Sequence, residues 1–181
     1  SPIFPITILE NSVKMTNEAP KGLRAGLMRT FMSDPLSDSE FFDTCTKDTS
    51  WRKMCFGLAF FHSSMQERRK YGAIGFNIPY DFNDTDYSVS DDVLKAYLDA
   101  YEDTPWDALK YLISEANYGG RVTDEIDRRV LSGYLNQYFC EDALVVPNFR
   151  LSTLEEYFVP NEGSLNSYKE YIATLPISDQ P

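Results

Sequence analysis

The chain is poor in the side chains from which metal and redox sites are built. Its 181 residues include one histidine, His62, and three cysteines, Cys45, Cys55 and Cys140. The cysteines are widely spaced and form no Cys-x-x-Cys pair, and one histidine supplies too few further ligands for a Cys/His zinc site. We therefore predict no metal site, and we expect free thiols in a reducing compartment.

Basic residues are also few. The 17 lysines and arginines are outnumbered by 28 aspartates and glutamates, which gives a net charge of −11. Nucleic acids and anionic lipids are both bound through clustered cations. No apolar run approaches the about 20 residues that cross a bilayer. The sequence thus predicts neither a nucleic-acid partner nor a membrane partner.

The usual phosphate-binding loops are missing as well. Neither Gly-x-x-x-x-Gly-Lys-Ser/Thr nor Gly-x-Gly-x-x-Gly occurs, although phosphates need such converging backbone N–H groups. His62 could join Cys55 or Ser63 in a nucleophilic site, but its neighbours Phe60 and Phe61 favour a hydrogen-bonded core histidine. We predict no catalytic residue and no cofactor in this chain, and we expect that it neither binds nor hydrolyses ATP.

What the sequence does contain indicates a mainly α fold. Hydrophobic residues make up 43% of the chain and aromatics 14%, enough for a sizeable core. Apolar residues recur at helical spacing in about seven segments. The predicted helices cover 22–32, 37–44, 50–71, from 90 to about 101, 104–119, 123–138 and 165–175. Residues 145–163 instead show short, irregular β-like pieces, and residues 3–15 read as a short N-terminal β segment.

The apolar pattern also predicts which side chains are buried. The helix over 50–71 is apolar nearly all round, so Trp51, Leu58 and Phe61 should lie in the core. The stripes of the two later helices place further side chains inward. These are Trp106, Leu109, Leu112, Ile113, Ala116, Ile126, Val130, Leu131, Tyr134, Leu135 and Tyr138.

Polar residues ahead of these stripes predict where helices begin. The expected N-caps are Ser37 with Glu40, Ser90, Thr104 and Thr123. Between the fifth and sixth predicted helices, Gly119 and Gly120 should reverse the chain with a positive φ, which glycine adopts readily. Gly120→Val should therefore strain the backbone.

Several segments resemble the C-terminal motor region of dynein heavy chains, and they come in the family's order. They are V-K-M-T-N-E-A-P-K-G-L-R-A at 13–25, the stretch from Phe61-His62 to Q-E-R-R-K-Y-G at 61–72, P-W-D-A-L-K-Y-L at 105–112 and Y-G-G-R-V-T-D-E at 118–125. The segment N-I-P-Y-D-F-N-D-T-D at 77–86 is more like axonemal than cytoplasmic dyneins. The resemblance covers nearly the whole chain.

Dynein heavy chains carry a ring of six AAA+ modules, each with a large α/β subdomain and a small helical lid. The resemblance implies that residues 21–176 are the lid of the sixth module, just before the C-terminal region. Residues 1–20 would end the preceding large subdomain, and residues 177–181 would begin the linker to the C-terminal region. A free-standing helical interaction domain is the alternative.

The resemblance also implies a setting for the fragment. It would be a non-catalytic, mechanical part of an ATP-driven, minus-end-directed microtubule motor, with ATP and Mg held by other modules. Its partners would be the adjacent AAA+ modules and the C-terminal region, and, through the parent, dynein intermediate and light chains and microtubules. The location would be the cytoplasm and cytoskeleton, in the axoneme of a cilium or flagellum.

Arg121 is the residue whose possible roles differ most. It lies between a glycine pair and a helix start, as does the sensor-2 arginine that reaches nucleotide phosphates in AAA+ proteins. It could equally hydrogen-bond turn carbonyls, pair with an acidic neighbour or face another domain. We expect the guanidinium of Arg121 to lie at the surface. Arg121→Ala should therefore leave folding nearly intact. The full set of candidate structural or interface residues is Arg24, Trp51, Phe61, Trp106, Gly119, Gly120, Arg121 and Asp124.

Overall fold

A computed structural model of the chain describes residues 21–161 and 163–177. The predicted N-terminal segment, residues 1–20, and most of the predicted linker, 177–181, lie outside the described residues. The proposed domain boundaries therefore stay predictions. Within the described residues the mainly α fold class is confirmed.

Helices form most of the described chain. They are α1 (Leu23–Met32), α2 (Ser39–Asp43), α3 (Asp48–Arg68), α4 (Asp84–Ala100), α5 (Trp106–Tyr111), α6 (Glu125–Tyr138), α7 (Asp142–Val145) and α8 (Leu165–Thr174). A 3₁₀ turn, Arg69–Ile74, extends α3; a π-helical segment, Leu112–Asn117, and a 3₁₀ turn, Tyr118–Gly120, extend α5. The irregular stretch near 145–163 contains one isolated antiparallel bridge, between Arg150 and Phe158.

Helix α3 lies at the centre of the bundle, as its apolar pattern predicts. Every residue from Lys53 to Met65 is buried, and Trp51, Leu58 and Phe61 are fully so. Helices α1, α4, α6 and α7 all pack against it. The lack of a side chain at Gly57 lets the end of α6 come close, because an added Cβ would lie 2.6 Å from the Tyr138 carbonyl oxygen.

Aromatic rings fill the space between α3 and its neighbours. Tyr168 of α8 stacks on Phe31 of α1 at 6.0 Å between centroids and contacts Phe42 and Phe56 edgewise or tilted. The Trp51 indole N–H donates to the carbonyl oxygen of Phe42 at 2.9 Å, so this buried polar atom has a partner. The aromatic content noted in the sequence thus forms one continuous core.

The predicted N-caps are wrong. Acidic or amide side chains that the sequence interpretation passed over cap three helices instead: Asp38 for α2, Asn83 for α4 and Asp124 for α6. Each accepts hydrogen bonds from N–H groups of the first turn, and aspartate also complements the helix dipole. Helix α5 follows Pro105 and has no side-chain cap. Ser90 is buried within α4.

The inward positions predicted for three later side chains also need correction. Trp106 is only partly buried, with its ring edge-to-face against Phe139 at 5.3 Å. Ala116 is exposed because it lies in the π-helical segment, whose wider turn rotates the face that α5 presents to the core. Ile126 is 64% exposed and lies in the first turn of α6.

Phe61→Ala tests the central position of α3. Phe61 is fully buried and packs edgewise on Tyr118 at 5.1 Å. Removing it should cost about 3–5 kcal/mol in the free energy of unfolding, a large part of the about 5–15 kcal/mol typical of a domain. Chemical denaturation measures the loss, and Tyr111→Ala, at a side chain 64% exposed, is the control expected within about 0.5 kcal/mol of the parent. Equal midpoints for both variants would contradict the central placement of α3.

Candidate functional site around Arg121

Four of the eight candidate residues meet in one place, where the chain passes from the 3₁₀ turn into α6. They are Gly119, Gly120, Arg121 and Asp124. Side chains from the start of α4 and from the loop before it complete the group. We call it the Arg121 junction; its members are Asn77, Ile78, Tyr80, Asp86, Asn117, Gly119, Gly120, Arg121, Asp124 and Asp127.

Arg121 pairs with Asp86 of α4. Its Nε atom is 3.0 Å and 2.8 Å from the two carboxylate oxygens. The Asp86 side chain is 7% exposed and that of Arg121 is 42% exposed, and the carboxylate also accepts from the backbone N–H of Asn83 at 3.0 Å. The terminal guanidinium nitrogens make no hydrogen bond within the described part of the chain. Arg121 is therefore anchored through Nε, with its outer end open to solvent.

Asp127 fixes the loop before α4 to the first turn of α6. Its carboxylate, in a residue only 2% exposed, accepts from the backbone N–H groups of Asn77 at 2.9 Å and Ile78 at 3.3 Å. The Tyr80 hydroxyl donates to it at 2.9 Å. These three donors satisfy a buried charge that would otherwise be costly, so the loop and the helix hold each other in position.

Asp124 also connects the loop before α4 to the first turn of α6. Besides capping α6, its carboxylate accepts from the side-chain amide of Asn77 at 3.2 Å. The N–H groups of Asp127 and Ile126 and this amide hold the pKa of Asp124 below its usual range, the Asp127 N–H having the largest effect. Asp124 thus has a structural role, as an ionised cap that also binds the loop.

The glycine pair reverses the chain in a way the sequence did not predict. Positive φ values occur at Gly22, Gly72 and Gly163 among the described glycines, and neither Gly119 nor Gly120 adopts one. Gly119 is required for space instead, because an added Cβ would lie 2.3 Å from the carbonyl oxygen of Ser114. An added Cβ at Gly120 would meet nothing within 4 Å. The expectation of backbone strain at Gly120 is therefore wrong.

The remaining candidates lie elsewhere. Arg24 donates through Nη1 to the carbonyl oxygen of Leu175 at 3.4 Å and so connects α1 with the end of α8. Trp51 and Phe61 belong to the core around α3. Trp106 lies on another surface, against Phe139. The eight candidates therefore do not form a single site.

The two buried carboxylates of the junction, Asp86 and Asp127, were not predicted from the sequence. A signal for Asp86 existed, since Asn83 and Asp86 form a reciprocal capping box three residues apart. Placing the helix start at Ser90 hid this signal. Nothing local distinguishes Asp127 from the other charged residues of α6, because its partners come from a loop about fifty positions earlier.

His62 lies in a buried polar group next to the junction. Its Nδ1 is 2.7 Å from the hydroxyl oxygen of Tyr118, its Nε2 has no partner among the described residues, and the residue is fully buried. Burial lowers the pKa of His62 to about 4. Nearby, Asp91 is fully buried too, and burial raises its pKa well above the usual range. The prediction of a hydrogen-bonded core histidine is confirmed.

The described residues form neither a metal-binding cluster nor a membrane-spanning helix. Within residues 21–161 and 163–177, no three His, Cys, Asp or Glu side chains gather closely enough to hold a metal ion. None of the described helices combines the length and apolar character that crossing a bilayer requires.

The class of the protein follows from a family match with which the fold agrees. A helical bundle around one buried helix is what an AAA lid domain requires. Residues 51–181 match the family described as the dynein heavy chain AAA lid domain. The chain belongs to this family.

Sequence similarity to relatives extends along the full length of the chain. It is 61% identical over all its residues to the Dynein-1-beta heavy chain, flagellar inner arm I1 complex, of Chlamydomonas reinhardtii. It is 54% identical over 99% of its length to Dynein axonemal heavy chain 2 of Homo sapiens, and 45% identical over 100% to Dynein axonemal heavy chain 12 of Rattus norvegicus. The chain spans 4% of the first two relatives and 6% of the third.

Alanine substitutions at the two glycines should give opposite results. Gly119→Ala places its Cβ against the Ser114 carbonyl oxygen and should destabilise by about 1–3 kcal/mol. Gly120→Ala enters open space with an ordinary backbone conformation and should change stability by less than about 1 kcal/mol, in the stabilising direction. Thermal unfolding of the two variants side by side is the measurement. A loss at Gly120 as large as that at Gly119 would mean that backbone conformation, and not space, selects these glycines.

The pairing with Asp86 changes what we expect of Arg121→Ala. Removing the guanidinium leaves a nearly buried carboxylate with fewer partners and should cost about 1–3 kcal/mol in the free energy of unfolding. Arg129→Ala is the matched control, because Arg129 pairs with Glu125 where both side chains are more than 70% exposed; such pairs contribute about 0.2–1 kcal/mol. Urea denaturation measures the free energy of unfolding that each variant loses. Equal losses would show that the Arg121–Asp86 pair is an ordinary surface pair.

His62 should make the domain sensitive to acid. Above pH 6.5 the histidine is neutral in both states, and between pH 6.5 and about 4 the unfolded chain binds a proton that folded His62 does not. Stability should therefore fall as pH falls through this window, by up to about 3 kcal/mol. His62→Gln should remove this part of the slope, whatever its effect at neutral pH. Denaturant midpoints at several pH values test it; parallel curves for the two proteins would contradict a neutral His62.

Proposed function

We propose that this chain is the non-catalytic helical lid of the sixth AAA+ module in an axonemal dynein heavy chain. The observation that carries the proposal is the match of residues 51–181 to the dynein lid family. Identity to flagellar and axonemal heavy chains across the chain supports the axonemal assignment. Residues 1–20 would then end the large subdomain of the same module, and the chain beyond 177 would lead to the C-terminal region.

The parent protein would be an ATP-driven motor that moves toward microtubule minus ends in the axoneme of a cilium or flagellum. Other modules would hold ATP and Mg. This lid would contact the adjacent modules and the C-terminal region directly. Intermediate chains, light chains and microtubules would be partners of the parent.

Within the motor, the lid would act as a mechanical coupler. A coupler must transmit displacement without deforming, and two features favour that role. Helix α3 is enclosed by four helices, and buried carboxylates at Asp86 and Asp127 fasten the starts of α4 and α6 to their neighbours. A push on one of these segments would therefore move the others with it.

Arg121 fits an interface role better than a sensor-2 role. Its Nε is committed to both oxygens of Asp86, and this neighbouring carboxylate would repel a nucleotide phosphate. The terminal nitrogens remain open to a carboxylate or carbonyl of an adjacent module, which a planar guanidinium binds in bidentate fashion. We therefore assign Arg121 to a contact between the lid and its neighbour in the ring.

The test uses the full-length heavy chain carrying Arg121→Ala, with Arg129→Ala as the control. We expect near-normal basal ATP turnover in both variants, because other modules hydrolyse ATP. Gliding distance per ATP hydrolysed should fall by several-fold for Arg121→Ala only, as the loss of one charge-assisted interface contact implies. Unchanged gliding per ATP would reduce Arg121 to a residue of the turn, and Mg-ATP binding by the isolated chain in isothermal titration would contradict a non-catalytic lid.

A further inference from the structure

A groove on the surface away from the α3 core combines an apolar wall with an acidic rim. It encloses about 530 Å³ between the start of α3, the segment that follows α4, and α7. Its apolar wall is formed by Trp106, Leu144 and Val145, and its rim by Glu102, Asp103 and Glu141. We call it the Trp106 groove.

The apolar wall is open to a partner. Val145 is 67% exposed, Leu144 is partly buried, and Trp106 has one ring edge against Phe139. An exposed valine beside a tryptophan is a surface that another apolar side chain can cover. Trp106 can also accept a cation over its ring, as Lys110 shows at 5.8 Å from the ring centroid.

The lining of the groove keeps a net negative charge, because its three carboxylates outnumber its one ammonium group, that of Lys47. Glu102, Asp103 and Glu141 are exposed and form no ion pair with any described residue. Two lysines beside the groove keep their positive charge, and their ammonium groups donate to backbone carbonyl oxygens. Lys47 donates to those of Tyr101 and Glu102, and Lys53 donates to that of Leu144 at 3.0 Å.

We propose that the Trp106 groove docks a basic segment of another polypeptide, in which Lys or Arg side chains flank an apolar residue. Charge complementarity selects the basic residues, and the Trp106–Val145 wall selects the apolar one. A bare metal ion does not fit, because no described group of three acidic or imidazole side chains is close enough to coordinate one. The inference rests on the chemistry of the groove and is independent of the motor function proposed above.

The experiment measures binding of a short fluorescein-labelled peptide of alternating arginine, leucine and serine, by fluorescence anisotropy on the 181-residue chain. The test variant neutralises the rim with Glu102→Gln, Asp103→Asn and Glu141→Gln. The control neutralises three exposed carboxylates elsewhere that have no hydrogen bond or ion pair with described residues. It carries Asp92→Asn, Glu156→Gln and Glu170→Gln. All six are surface changes, and equal thermal midpoints verify that both variants fold.

We expect the rim variant to bind the peptide about tenfold less tightly than the parent, and the control less than about twofold. Val145→Ser, which leaves every charge in place, should weaken binding by about threefold. A twin peptide with glutamate in place of arginine should not bind. Equal weakening by the rim and control variants would show attraction to the acidic chain as a whole and overturn the proposal, as would full binding by the rim variant.

Discussion

The burial of helix α3 on all sides is the constraint on which the rest of the structure depends. Thirteen consecutive residues, from Lys53 to Met65, are buried, and α1, α4, α6 and α7 cover this surface. Close approach is possible because the contact points are small. Gly57 admits the end of α6, and Gly26 admits Ser63, whose Oγ would lie 3.1 Å from an added Cβ. The approach of α6 is thus allowed by Gly57 of α3, and that of α1 by its own Gly26.

Packing against α3 brings the starts of α4 and α6 together, and buried polar groups then fix their relative orientation. Apolar contact alone is non-directional, whereas a buried carboxylate requires donors at defined places. Asp86 takes its donors from Arg121 and Asn83, and Asp127 takes its donors from the loop at 77–80. Arg121 owes its defined position to this network and not to the glycine pair beside it.

Strong periodicity made α3 predictable, because thirteen buried residues leave a clear apolar signal in the sequence. Cap positions were not predictable to the residue. Asp38 and Asp124 each stand next to a Ser or Thr that could cap equally well. Asn83 precedes a first helical turn whose sequence is typical of a loop. The reversal at Gly119 depends on a π-helical segment that brings the Ser114 carbonyl oxygen close. Such a wide turn has no local sequence signal, so the steric reason for this glycine appears only in three dimensions.

The acidic excess shows why composition alone could not locate a functional surface. Some of these carboxylates are structural, since Asp86 and Asp127 are buried and hydrogen-bonded, and Asp124 is a helix cap. Others, such as Glu102 and Glu141, face solvent and form no ion pair with a described residue. Only the second kind has much free energy to gain from a further cation, because a carboxylate already supplied with donors gains little from one. The same distinction applies to Arg121, whose Nε donates to Asp86 while its terminal nitrogens donate to no described residue.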